Sequence, residues 1–274
     1  MSDPANVNPS AAVFVEPAPH LIHGRPTTRR MMIDVLLALA PVVAMAIYVF
    51  RWPVVGQMGI CIGSCLAAEA VFTWMCRRPL TLTDGSAVVT GAILALSIPS
   101  TAPAHVGVVG SVVAIGIGKV VFGGLGQNIF NPAMVGRAFV MLAFASAMGA
   151  DAYVQSQAGA PDVVTGATPL TAFKEGQTGT SLMVLMIGRH NGSPGEISAL
   201  MCLLGGLYLC LRRTASWQIP VGVVLSAALF GGLDNLGNLH TPWTVAHHLL
   251  GGALLFGAFF IATDPVSSPL TPKG

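Results

Sequence analysis

The stretch Asp162-Val-Val-Thr-Gly-Ala-Thr168 sits in a polar, turn-prone loop of an otherwise strongly apolar chain. A threonine hydroxyl is a poor nucleophile unless a neighbouring base takes its proton. No Ser-His-Asp arrangement surrounds Thr168, which suits it to be an acceptor modified by another enzyme. Gly166 and Ala167 keep the approach open for a bulky group. A second stretch, GGLGQNIFNPAMVGR over residues 123–137, gathers the side-chain amides of Gln127, Asn128 and Asn131. Each amide donates and accepts hydrogen bonds. Such groups match a heterocycle edge of alternating carbonyl and N–H, as in an isoalloxazine. They equally serve an ordinary turn, with Asn131 as a helix N-cap and Pro132 at the first helical position. The Gly-rich part is not a dinucleotide fingerprint, because no βαβ unit surrounds it.

Among the acids, Glu69 lies inside an apolar segment, where ionisable groups are costly and tend to be functional. It reads as a cation-path residue or as an acid paired with a polar group on a neighbouring helix. Asp34 and Asp84 stand at the starts of apolar segments, where a helix N-terminus favours a carboxylate. The five cysteines, Cys61, Cys65, Cys76, Cys202 and Cys210, lie in apolar stretches without metal-ligand spacing and read as packing residues. No metal site and no catalytic residue is expected.

The elements that must position these groups belong to a membrane. Only 9% of the 274 residues are charged and 53% are hydrophobic, with a mean hydropathy of +0.72. A soluble domain carries roughly 25% charged residues. The expected fold is an all-α integral membrane protein, a polytopic helical bundle in the lipid bilayer. The net charge of +2 carries no sign of nucleic-acid binding. Eight apolar segments are predicted at 31–50, 54–76, 85–98, 106–121, 133–149, 196–211, 217–233 and 244–262. Several fall short of the roughly 20 residues of a spanning helix. Short, Gly- and Pro-interrupted segments in membranes often line binding sites. Residues 1–30 read as a flexible cytoplasmic tail, 31–274 as the membrane domain and 150–194 as a long loop.

With the N-terminus in the cytoplasm, Arg25, Arg29, Arg30, Arg77, Arg78, Lys119, Arg137, Arg212, Arg213 and Lys273 fall on the cytoplasmic side, and only Arg51, Lys174 and Arg189 outside. That bias makes the 150–194 loop, with Thr168, extracytoplasmic. A parallel internal repeat is also expected. WMCRRP (74–79) resembles LCLRRT (209–214), pairing Arg77 with Arg212. Asn131-Pro132 and Asp264-Pro265 follow at similar distances, as do His105 and His240. The halves are 31–149 and 196–274, the second ending as if incomplete. Ligand sites are expected where repeated halves meet.

DVVTGATPL resembles the flavinylation motif of the membrane family that comprises the D subunit of the Rnf electron-transport complex and the B subunit of the sodium-pumping NADH:quinone oxidoreductase. That motif reads Asp-x-x-Ser/Thr-Gly-Ala-Thr, and Asp162, Thr165, Gly166, Ala167 and Thr168 match it. FGGLGQNIFNPAMVGRAF (122–139) and ATDPVSSPLTPKG (262–274) are similar to further family signatures in the expected order. The resemblance implies FMN linked through its phosphate to Thr168 by a flavin transferase. It also implies a non-covalent riboflavin with Asn128 and Asn131 as contacts. Family members continue beyond the PKG loop with further helices, and the quinone-pump subunit has a longer N-terminal extension. The short stretch before the first helix here favours the Rnf D type.

The implied role is a redox subunit, without a complete active site of its own, of an ion-translocating ferredoxin:NAD+ oxidoreductase in the bacterial cytoplasmic (inner) membrane. It would move sodium ions or protons, with iron–sulfur and flavin subunits as partners. Three other readings stand beside it. One is the B subunit of the quinone-reducing pump. Another is a channel or secondary transporter, for which broken helices and Glu69 would also serve. The last is a scaffold subunit with a vestigial loop.

Overall fold

The computed structural model describes residues 27–78, 82–149, 154–155, 164–165, 168–174, 180–188, 190–237 and 243–268. Asp162, Gly166, Ala167, His240 and most of the N-terminal tail lie outside them. The regular secondary structure of the described residues is helical apart from one two-residue antiparallel ladder, β1 (Val154–Gln155) on β2 (Val164–Thr165).

The first half begins with α1 (Thr28–Phe50) and α2 (Trp52–Met75), separated only by Arg51. Both are long and apolar enough to cross a membrane, as is α10 (Gln218–Gly237). The apolar helices α3 (Ser86–Ser97), α4 (Ala104–Ile115) and α5 (Pro132–Ala143) are shorter. α4 continues into a widened π-type turn, Gly116–Val120. A further turn, α6 (Ala145–Met148), follows α5. The 150–194 loop contains the short helices α7 (Pro169–Lys174) and α8 (Leu182–Ile187). The second half runs through α9 (Ala199–Leu211), α10, α11 (Val245–Leu250) and α12 (Leu254–Phe256), the last passing into a second π-type turn, Gly257–Ile261. The expected continuous segment at 244–262 is thus interrupted at 251–253 and widened at Gly257–Ile261.

Small residues let these helices approach closely, as membrane packing requires. α3 is buried along almost its whole length. A Cβ on Gly91 would lie 2.7 Å from the Ile62 backbone of α2, and one on Gly136 would meet the Gly110 carbonyl of α4. α9 packs on α1 in the same way: a Cβ on Gly205 would strike the Ala38 carbonyl. Outward faces are apolar, including Leu225, Leu229, Phe230 and Leu236 of α10. Trp52 and Trp74, at the two ends of α2, are strongly exposed, where aromatic belts meet the membrane interfaces.

The repeat expected from sequence has a backbone signature. α2 and α9 end in the same motif: Arg77 (φ 53°) and Arg213 (φ 56°) both occupy the left-handed region usually left to glycine. Arg78 N donates to Thr73 O (2.9 Å) and Thr214 N to Leu209 O (3.1 Å), the long closing bond of a Schellman turn in each case. The geometry pairs Arg77 with Arg213, one position later than the residue-type match with Arg212. Two expectations are corrected at this end of the bundle. Asp34 is not a cap: α1 starts before it, and its carboxylate accepts from Arg212 (3.2 Å), Thr214 (3.1 Å) and Tyr208 (3.4 Å), tying α1 to the end of α9. Lys119 is not a loop charge that marks a membrane face, because it is only 2% exposed within the protein.

Candidate functional site

Two aspartyl/asparaginyl-proline turns frame an open cleft between the halves. In the first half, Asn131 Oδ1 accepts from Ala133 N (3.0 Å) and Met134 N (3.4 Å), capping α5 with Pro132 at its first position. In the second half, Asp264 Oδ1 accepts from Val266 N (3.4 Å), and Ser267 Oγ donates to Asp264 Oδ2 (2.9 Å). Asn131, Pro132, Asp264 and Pro265 all line the cleft. The two π-type turns contribute equivalent positions, Lys119 from Gly116–Val120 and Phe260 from Gly257–Ile261. Such turns displace a side chain by one place along the helix and frequently mark functional sites. Leu209 and Met32, from α9 and α1, complete the wall near the Arg212–Asp34 pair.

Asn128 also lines the cleft. Its Nδ2 donates to Phe130 O (3.1 Å), whereas its Oδ1 is buried without a hydrogen-bond partner among the described residues. A buried acceptor in that state costs about 1–3 kcal/mol. A ligand N–H directed at Asn128 would remove that cost. Asn131 accepts both cap bonds through its oxygen, which leaves its amide NH2 out of the cap. The rest of the wall is largely apolar, with Val35, Val89 and Ile93 facing in. An apolar slot ending in a few polar groups is the usual form of a cofactor site, and a flavin ring fits this donor and acceptor set.

Glu69 has the partner that one of its two readings expects. It is fully buried, and its Oε1 accepts from Lys119 Nζ at 2.7 Å. Lys119 Nζ also donates to Ser86 Oγ (2.6 Å). Ser86 Oγ donates to Asp84 Oδ1 (2.6 Å), which accepts Ser86 N (2.8 Å) as well. Asp84 thus serves the start of α3 and ends a chain of polar groups that begins at Glu69. Thr73 Oγ1 donates back to Glu69 O (2.6 Å). Lys119 is the member of this chain that sequence reasoning missed. A lysine beside a Gly-rich loop looks like a surface charge, and nothing in its spacing shows that it faces Glu69, 50 residues earlier.

Thr168 is half-buried and precedes α7. Its Oγ1 lies 3.0 Å from Thr171 Oγ1 and accepts weakly from Thr171 N (3.4 Å). Esterification would remove the hydroxyl proton but leave Oγ1 able to accept from Thr171. Phe173 of α7 stacks on Trp243 at 4.6 Å, which docks α7 at the start of α11. His247 reaches from α11 to Thr180 O (3.0 Å) and closes a capping box with Thr244. Thr165 contributes its backbone to β2; Asp162, Gly166 and Ala167 fall outside the described residues.

The topology sets the two places apart. α10 starts just after the α9 turn beside Asp34 and ends six residues before Trp243. Its 20 residues span about 30 Å at 1.5 Å per residue. The α11–α12 arm then returns to Asp264. The cleft and Thr168 therefore lie at opposite ends of the bundle.

A multi-helix bundle built from two like halves, with a largely apolar cleft between them, defines a polytopic membrane protein of the repeat-built kind. The sequence profile of the NQR2, RnfD, RnfE family matches residues 14–274, and the chain belongs to that family. It is 42% identical over 264 residues to the D subunit of the Na(+)-translocating ferredoxin:NAD(+) oxidoreductase complex of Acetobacterium woodii, covering 95% of this chain and 79% of the relative. It is 38% identical to the D subunit of the ion-translocating oxidoreductase complex of Stutzerimonas stutzeri (91% and 79% covered). It is 35% identical to the D subunit of the proton-translocating ferredoxin:NAD(+) oxidoreductase complex of Clostridium ljungdahlii (89% and 76% covered).

Proposed function

We propose that this chain is the D-type membrane subunit of an ion-translocating ferredoxin:NAD+ oxidoreductase complex. It would relay electrons between FMN esterified to Thr168 and riboflavin held in the cleft. The observation that carries the reading is the placement of the two flavin-suited positions at opposite ends of one bundle. A relay across a membrane needs that arrangement, and a channel has no use for either position. The names of the three relatives above, each the D subunit of an ion-translocating oxidoreductase complex, support the same reading.

A bound flavin supplies one- and two-electron chemistry, and the protein supplies position and electrostatics. Asn128 and Asn131 present hydrogen-bonding groups to the ring edge, while Val35, Val89 and Ile93 exclude water from its faces. Thr168 holds the other flavin, with α7 docked on Trp243 to fix its place. Asp162, Thr165, Gly166 and Ala167 form the sequence that the flavin transferase reads. Glu69 belongs to the ion path, reached through its pairing with Lys119. Donor and acceptor chemistry for ferredoxin and NAD+ falls to iron–sulfur and flavin subunits of the complex. The basic end, with Arg29, Arg30, Arg77 and Arg78, faces the cytoplasm of the bacterial inner membrane, and the Thr168 end faces outward.

The test is reciprocal loss in a complex made alongside a flavin transferase. Thr168→Ala abolishes the flavin that survives denaturing electrophoresis and leaves acid-extractable riboflavin in place. Asn128→Leu does the reverse. An unmodified mass for the Thr168 peptide in an active complex refutes the first assignment, and full riboflavin content in the Asn128 variant refutes the second.

A further inference from the structure

The cleft wall holds one ammonium, and that ammonium is shared. Lys119 lines the cleft, yet its Nζ is bound to Glu69 Oε1 (2.7 Å) and Ser86 Oγ (2.6 Å). Among the described residues, the ionisable groups on the wall are Lys119 from the first half and Asp264 from the second. Glu69 stands behind Lys119, fully buried, and Asp84 stands behind Ser86. In a medium of low dielectric, one ammonium balances one carboxylate well and two anions poorly.

We propose that Lys119 couples the charge of the ligand in the cleft to the charge state of Glu69. The inference rests on the flavin reading above and adds a coupling device to it. Two electrons and one proton added to a neutral ring leave one negative charge on it. A low-potential reduced carrier of the complex supplies the electrons. The Lys119 ammonium then faces an anion on each side. Its hold on Glu69 weakens, and the Glu69 carboxylate gains a proton or a sodium ion. Charge balances: two electrons enter, one proton goes to the ring and one cation goes to Glu69. Reoxidation reverses both and releases that cation. Ser86 keeps Lys119 in place throughout, because its hydroxyl accepts from the ammonium while donating to Asp84.

The test is a potentiometric titration of the non-covalent flavin in the purified complex, followed by absorbance. Lys119→Gln removes the cation and lowers the potential. Glu69→Gln leaves the Lys119 charge undivided and raises it. The double variant lies with Lys119→Gln, because the proposed link from Glu69 to the ligand runs through Lys119. Each single shift is expected to be about tenfold in the relative affinity for reduced and oxidised ligand, or about 30 mV for a two-electron couple. Lys119→Arg, which keeps the charge, stays near wild type. Should Lys119→Gln fail to assemble, the raised potential of Glu69→Gln and its cancellation in the double variant carry the same test. The proposed cation uptake adds a dependence of the potential on pH or on sodium concentration that Glu69→Gln removes, whereas a merely structural ion pair adds none. Flavin retained with potentials unmoved, or moved in one direction by both changes, overturns the coupling and leaves the flavin reading intact. Absence of non-covalent flavin from the wild-type complex overturns the flavin reading and the coupling with it.

Discussion

Gly118 offers a way to disturb the cleft without touching a group proposed to bind the ligand. It lies in the first π-type turn, one residue before Lys119. A Cβ built on it would stand 2.9 Å from Pro132 Cα, 3.2 Å from Pro132 Cβ and 3.3 Å from Pro132 O. Carbon atoms pack at about 3.5–4.0 Å, so Gly118→Ala requires Pro132 to recede by roughly 0.6–1 Å. Pro132 is backbone at the first turn of α5, next to the Asn131 cap, and cannot swing aside as a side-chain end would. Overpacking of this kind costs about 1–3 kcal/mol, or about 5- to 150-fold in an equilibrium constant. The displaced wall carries Asn131, so the loss should fall on the occupant of the cleft. Acid-extractable riboflavin should drop by about that factor while FMN on Thr168, at the other end of the bundle, stays at wild-type level. Gly59→Ala on α2 is the control, because its Cβ would meet nothing within 4 Å. Equal loss of both flavins would show general unfolding. Unchanged riboflavin in a stable Gly118→Ala complex would refute the placement of the ligand against Pro132.

Two further outcomes follow from the opposite end. Trp243→Ala removes a ring that is 1% exposed and stacked on Phe173, which frees α7. Covalent flavin on Thr168 should fall several-fold, and Trp243→Phe, which keeps a stacking face, should restore most of it; in-gel fluorescence reads both. Burial raises the Glu196 carboxyl above its usual 4.5, with the Ser193 N–H, His190 and Arg137 pulling it back only in part. The unfolded chain therefore releases this proton at lower pH than the folded one, and stability falls as pH rises from about 4.5 towards the folded value. Glu196→Gln should flatten that slope in thermal unfolding measured across acidic pH, and an unchanged slope would assign the pH dependence elsewhere.

Helices and their apolar faces were readable because lipid imposes a compositional rule on every spanning segment. The starts of α2, α3 and α5 fall within two residues of the predicted ones for that reason. Asn131 was readable because capping chemistry is local: the cap, the proline and the first turn adjoin one another in sequence. The same locality explains why Asp34 misled. Its position near a segment start suggested a cap, whereas its partners Arg212 and Thr214 lie about 180 residues away and leave no trace in the neighbouring sequence. Lys119 was illegible for a related reason. A π-type turn shifts the helical register, so no periodicity of 3.6 assigns that side chain to the interior face. The break at Gly251 and the π-type widening at Gly257 in the last arm were equally hidden inside an apolar run.

The two halves share a backbone plan but not a chemistry, and the difference gives the cleft two unlike walls. Both halves offer a Schellman turn with an arginine, a π-type turn and an Asx-Pro turn. Perfect symmetry would put like groups on both walls and leave the cleft with no polarity across it. Instead the first π-type turn presents Lys119 and the second Phe260. The first Asx-Pro turn presents an amide and the second a carboxylate. The residue behind the wall differs as well. Glu69 stands in α2, whereas the matching place in α9, counted from the paired arginines, is Gly205, which lets α9 close against the Ala38 carbonyl of α1. A buried acid there would have needed a cation of its own and would have held α9 away from α1. The matched turns thus give the cleft two walls of one plan, and the substitutions on them put the Lys119 ammonium, with Glu69 behind it, on one wall and the Asp264 carboxylate on the other. A charge arriving in the cleft therefore meets a cation on one side and an anion on the other, the asymmetry that the proposed coupling through Lys119 uses.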